Sequence, residues 1–151
     1  MKRLGRRFPV LCLAVLFTFS FLGIPYATAA IPDVQNVDVE VTVKINEKGF
    51  LDKNNKLFGP KNPLIVQKGK VIRITFLFSE KMTSLAYGDT HKIEVIGQNG
   101  WEVETKKIWM FDQKDSVTFV AGENGQTRYR GYCVIDCIGM DHLNNLVIKV
   151  V

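Results

Sequence analysis

The odd positions of residues 37–45 are Val37, Val39, Val41, Val43 and Ile45, and the even positions between them are Asp38, Glu40, Thr42 and Lys44. Apolar residues at every second position describe an extended strand with one face in a core and the other toward water. The pattern returns after a turn-rich interval at 52–63. Leu64, Ile65 and Val66 form a short apolar run, Lys68-Gly69-Lys70 supplies a turn, and Ile72, Ile74, Phe76 and Phe78 then alternate with Arg73 and Thr75. These residues predict two more strands around the glycine turn. Further strands are predicted at 91–96, 116–121, 127–133 and 146–151, whereas 79–90 is the least strand-like interval, with Leu85, Ala86 and Tyr87 able to form one short helical turn. No long helical period appears beyond residue 30, and no internal repeat or low-complexity segment is present. Short strands separated by Gly, Asn, Asp and Pro clusters predict an all-β Greek-key sandwich or barrel.

The first 29 residues stand apart. Lys2, Arg3, Arg6 and Arg7 precede an apolar stretch at 8–24, and Ala27-Thr28-Ala29 ends the segment with small residues at the spacing a signal peptidase accepts. This is the plan of a secretory signal, whose removal leaves 30–151 as one domain. If retained, the uncharged stretch 8–30 is long enough for a membrane anchor, since a bilayer core takes about 20 residues. On either reading the remainder is expected outside the cytoplasm, in a periplasmic or extracellular space. The leader also distorts the charge. The chain carries 20 Lys and Arg against 15 Asp and Glu, a formal +5, but four of the basic residues and none of the acidic ones lie in the leader, which leaves 16 against 15, or +1. That balance argues against a nucleic-acid partner, which calls for a basic stripe or patch. A domain of about 120 residues is large enough to fold without disulfide staples, so its cysteines need another explanation.

The chain has three cysteines and two histidines. Cys12 belongs to the leader, and the apolar stretch runs well past it, which does not suit lipid attachment. Of the four remaining groups, Cys133, Cys137 and His142 fall within one ten-residue stretch between two predicted strands, where Asp136 and Gly139 favour a tight turn. His91 opens an earlier strand and is the distant candidate to join them. Thiolate and imidazole together select copper, zinc or iron, whereas oxygen-rich sites select magnesium or calcium. An exported, oxidising setting favours copper over an iron–sulfur cluster. The competing reading is a Cys133–Cys137 disulfide, common in exported proteins, although so short a loop gains little and leaves His142 unexplained. Trp101 and Trp109 read as aromatics covering a sheet, and Glu102, Glu104, Lys106 and Lys107 as the solvated face of a strand or hairpin. No arrangement of nucleophile, base and oxyanion donors competes, so the chain is not expected to turn over a substrate by itself.

The run Arg128-Tyr129-Arg130-Gly131-Tyr132-Cys133-Val134-Ile135-Asp136-Cys137-Ile138-Gly139 resembles the segment carrying the dinuclear CuA centre in the periplasmic domain of cytochrome c oxidase subunit II, within the cupredoxin superfamily. In that family an aromatic-Gly strand leads into Cys-x-Glu-x-Cys-Gly, followed shortly by His and Met. The similarity extends less specifically to Lys68-Gly69 before a strand, His91 opening another, the stretch 116–121 and the Val-rich final strand. The resemblance implies a cupredoxin fold in which Cys133 and Cys137 bridge two coppers, His91 and His142 each complete one, and the Ile135 carbonyl serves where the family has Glu. It further implies electron transfer with a c-type cytochrome or another periplasmic redox protein, or a place as a subunit of a membrane oxidase complex. Two positions depart from the pattern. One extra residue separates Cys137 from His142, and Asn145 stands where the family has its Met ligand, with Leu146 next. Met140, and more remotely Met82, are the thioether candidates. The spacing Cys137-x4-His142-x3-Leu146 also resembles a mononuclear blue-copper loop with Leu146 at a weak axial position, and the same groups suit a copper chaperone or storage protein binding Cu(I). These readings stay open at this point, with the two-sulfur site preferred because Tyr129-x-x-Tyr132-Cys133 matches the strand leading into a cupredoxin cysteine.

Overall fold

Nine strands form among the described residues of the computed structural model, which are 36–78, 90–109, 113–135 and 143–151. The leader at 1–29, the helical turn at 85–87, Met82, Cys137, Met140 and His142 lie outside the described residues. The strands are β1 (Val39–Asn46), β2 (Gly49–Leu51), β3 (Leu64–Val66), β4 (Val71–Phe78), β5 (Ile93–Ile96), β6 (Glu102–Glu104), β7 (Lys114–Val120), β8 (Arg128–Cys133) and β9 (Leu146–Val150). They build one four-stranded sheet in the order β2-β1-β4-β7 and one five-stranded sheet in the order β3-β9-β8-β5-β6. The pairs β1–β4 and β3–β9 are parallel and the rest antiparallel, which makes both sheets mixed.

The predicted alternation becomes the core. Ile72, Ile74, Phe76 and Phe78 of β4 are fully buried, while the residues between them are only partly covered. In β1 the same period points Val43 and Ile45 inward, and burial fades toward Val39. Each fully buried Ile or Phe side chain contributes roughly 1.5–3 kcal/mol relative to leaving it in water. From the five-stranded sheet Ile93, Val95, Tyr129, Leu146 and Ile148 meet this layer. Trp101 covers the sandwich beside Phe119 and Tyr129, with ring centroids 5.2 and 5.1 Å away, as expected for an aromatic on a sheet. Trp109 instead stays 56% exposed, with the Lys107 ammonium 5.4 Å from its ring centre.

The glycine turn between the second and third predicted strands joins the two sheets. β3 belongs to the five-stranded sheet and β4 to the other, and Gly69 sits between them at φ +81°, a conformation glycine takes without a Cβ penalty. Its N–H bonds the Ala121 carbonyl at 2.7 Å, tying the crossover to the end of β7.

Candidate metal centre

Strand parity decides where Cys133 points. β5 and β8 pair antiparallel with Ile93 opposite Cys133 and Val95 opposite Gly131. Ile93 and Val95 are fully buried, so their cross-strand partners also face the core. His91 precedes Ile93 by two residues and shares its face. Its backbone is held in a two-bond pair with Ile108, N–H to carbonyl at 2.8 and 2.7 Å. The buried His91 ring meets Phe78, the last residue of β4, edge to face at 4.7 Å and 89°. His91 therefore sits where the two sheets meet at one end of the sandwich.

At that end the Cys133 sulfur lies 3.7 Å from His91 Nδ1, across 42 residues of chain, and 4.0 Å from the Ile135 carbonyl oxygen. Ligand bonds of about 2.3 Å to sulfur and about 2.0 Å to nitrogen, opened to a tetrahedral or trigonal angle, separate the two donor atoms by about 3.5–3.8 Å. The observed spacing suits two ligands of one ion, and the donor types are those of a soft or borderline metal. Cys133 is half-buried and forms no disulfide among the described residues. Burial pushes its pKa up, and hydrogen bonding with the backbone at Lys92 and Ile135 offsets part of the rise. Unliganded, it is a neutral thiol at neutral pH, and a metal displaces its proton.

The backbone around the sulfur is pinned on both sides. Cys133 N–H donates to the Leu143 carbonyl at 2.8 Å, and Val134 N–H donates to the Lys92 carbonyl at 2.9 Å. Ile135 and Leu143, the described residues on either side of 136–142, both lie beside Cys133. His91, Cys133 and the Ile135 carbonyl are brought together. Leu146 lies opposite Gly131 on the inward face of β9, fully buried and packed into the space that glycine leaves.

Asn145 has a role its sequence position did not reveal. Its Oδ1 accepts the Phe50 N–H at 2.9 Å, and its Nδ2 donates to the carbonyls of Phe50 at 3.1 Å and Phe58 at 2.8 Å. This amide thus clamps β2 and the following loop to the start of β9. The available signal was only a polar residue directly before a mostly apolar strand.

No family model matches the chain, and no curated protein does. Solved structures do. Auracyanin B superposes with a TM-score of 0.53 at 14% identity, over 77% of this chain and 91% of that one. A multicopper oxidase gives 0.49 at 11% identity, over 77% of this chain and 45% of that one, and the apo form of a copper-binding protein solved by NMR gives 0.42 at 13%, over 78% and 92%. The fold is all-β and of the cupredoxin type.

Proposed function

We propose that the chain is an exported copper-binding electron-transfer protein with a CuA-like dinuclear centre, held by His91, Cys133, the Ile135 carbonyl, Cys137 and His142. The observation that carries this reading is the meeting of His91 Nδ1, Cys133 Sγ and the Ile135 oxygen at one end of the sandwich. The cupredoxin-type fold supports it. Copper, once bound, supplies one-electron chemistry. The protein supplies rigidity: Phe78 packs against the His91 ring and the Ile108 backbone holds the His91 main chain, while the Leu143 and Lys92 carbonyls hold the backbone of Cys133 and Val134, so these two donors are set before any ion arrives. Burial of His91 keeps water from its ring. The leader accounts for export to the periplasm or cell exterior, and a c-type cytochrome, another periplasmic redox protein or a membrane oxidase complex is the partner class that fits this chemistry.

One observation favours a second reading. All of the Asn145 amide is engaged with Phe50 and Phe58, so nothing replaces the thioether of the subunit II pattern at that position. A mononuclear site on His91, Cys137 and His142, with Leu146 or Met140 at the axis, does not need it. Copper titration of the reduced protein, with metal analysis and optical and paramagnetic spectra after oxidation, separates the readings. Two coppers per chain sharing one unpaired electron is the expected result, and it is lost in Cys133→Ser. One copper with an intense thiolate band means the mononuclear site, and binding of Cu(I) alone means copper handling. A single ordinary, weakly coupled Cu(II) overturns both electron-transfer versions.

A further inference from the structure

The outward face of the five-stranded sheet is divided by charge. Because Ile93, Val95, Tyr129, Leu146 and Ile148 point inward, the alternate residues point out. On β8 and β9 these include Arg128, Arg130 and Lys149, with Arg128 directly opposite Lys149. On β5 and β6 they include Glu94, Glu102 and Glu104, with Glu94 opposite Glu104 and Glu102 opposite Ile96. The two halves share the β8–β5 seam, where Tyr132 and Ile96 lie half-buried.

Neither half is neutralised within the described residues. Arg128, Arg130 and Lys149 are exposed and have no ion-pair partner there. The two arginines border a 510 Å³ cleft with Pro60, Asn144, Asn145 and Val147. Among the three carboxylates, Glu104 pairs with Lys92 at 2.6 Å and Glu94 accepts the Tyr132 hydroxyl, which leaves an excess of negative charge. Hydrogen bonding and repulsion from Glu94 raise the Glu102 pKa, a sign that these carboxylates crowd one another.

We propose that this face docks a second copy of the chain. A two-fold axis running obliquely across the β8–β5 seam, at right angles to the line from Arg128 and Lys149 to Glu94 and Glu104, lays the basic half of each copy on the acidic half of the other. A face carrying both signs side by side complements itself under that operation, as an isologous interface requires. A partner patch of one sign would match one half and repel the other. Arginine side chains over carboxylates also allow forked, charge-assisted hydrogen bonds. The half-buried Tyr132 and Ile96 would form the apolar centre with the charges around it, the usual anatomy of an interface. Five strands about 4.8 Å apart and about four residues long span roughly 300 Å² per copy, less than half of a standard interface. The association is therefore weak, reversible and governed by salt.

Sedimentation analysis of the purified protein tests this. In about 20 mM salt the protein should self-associate with rising concentration, and in about 500 mM salt the association should weaken at least tenfold, as the screening length falls. Arg128→Glu with Arg130→Glu should be monomeric at low salt, as should Glu102→Lys with Glu104→Lys, while an equimolar mixture of the two should form a heterodimer. Circular dichroism checks that the variants fold; if a double variant does not, Arg130→Glu and Glu102→Lys serve in the same mixing experiment. A wild type that stays monomeric at about 1 mM in low salt overturns the proposal. So does self-association that the reversals leave unchanged, or a mixture that fails to pair.

Discussion

A single methyl group at Gly131 tests how tightly the sheet is closed behind the candidate metal centre. A Cβ there would lie 2.6 Å from Leu146 Cδ2 and 3.2 Å from its Cβ and Cγ. Carbon atoms pack best at about 3.5–4.0 Å, so the overlap with Cδ2 is about 1 Å. Leu146 is fully buried, so its side chain can yield only by displacing other core atoms. β8 has little room to bow away either, because Gly131 is paired with Val95 on one side and Leu146 on the other. Gly131→Ala should therefore cost about 1–3 kcal/mol as overpacking. Leu146→Ala should cost about 2–5 kcal/mol as a cavity. In the double variant the new methyl occupies part of that cavity, so the total should fall short of the sum by about 0.5–3 kcal/mol. Urea unfolding followed by Trp101 fluorescence reads these differences through the midpoint at constant slope, since that indole packs on Tyr129 of the same strand. A Gly131→Ala protein within about 0.5 kcal/mol of wild type, or strictly additive costs, would refute the packing argument.

Asn145→Ala should lower stability by about 2–4 kcal/mol in thermal or urea unfolding, because it strips partners from the Phe50 N–H and the Phe50 and Phe58 carbonyls. Asn145→Met should be comparably destabilised despite offering the thioether of the subunit II pattern. The Asp38 carboxyl, which accepts the Val71 N–H and the Lys70 ammonium, is held below its ordinary 3.8. Its stabilising effect should be complete above that value and vanish as pH falls through the lower folded-state pKa; an NMR titration of the Asp38 side chain that shows no depression would contradict this. The Tyr132 hydroxyl, bonded to Glu94, is pushed up to about 12 from its ordinary 10. Its contribution should be intact below the ordinary value and be lost as pH rises through about 12, and Glu94→Gln should shift the phenol's ultraviolet titration back down.

The strongest alternations in the chain became its longest strands: β1 and β4 follow the period of two written by Val43, Ile45, Ile72, Ile74, Phe76 and Phe78. β2 and β6, at three residues each, exist through pairing with β1 and β5, and a period cannot be read from so few positions. The same limit hid the crossover at Gly69, since alternation shows that a residue faces a core without showing which sheet carries it. For the site, residue chemistry singled out His91 and Cys133, but their 3.7 Å approach depends on the Ile93–Cys133 register, a property of two strands together. Asn145 was illegible because its partner Phe50 lies 95 residues away and no local pattern reports so remote a clamp. Leu146, read from the blue-copper spacing as an axial residue, owes its place to a missing side chain on the neighbouring strand, which is likewise a pairwise fact.

The position of β9 governs when this domain can come into being. It lies between β3 and β8, and the backbone of Val151 closes onto Val66 and Lys68 at 2.9 Å each. Until residues 146–151 are available to pair, the five-stranded sheet lacks an interior member and its β3 has nothing to join. Assembly must wait for this strand, and loss of residues 146–151 would disturb the whole sheet rather than fray a margin.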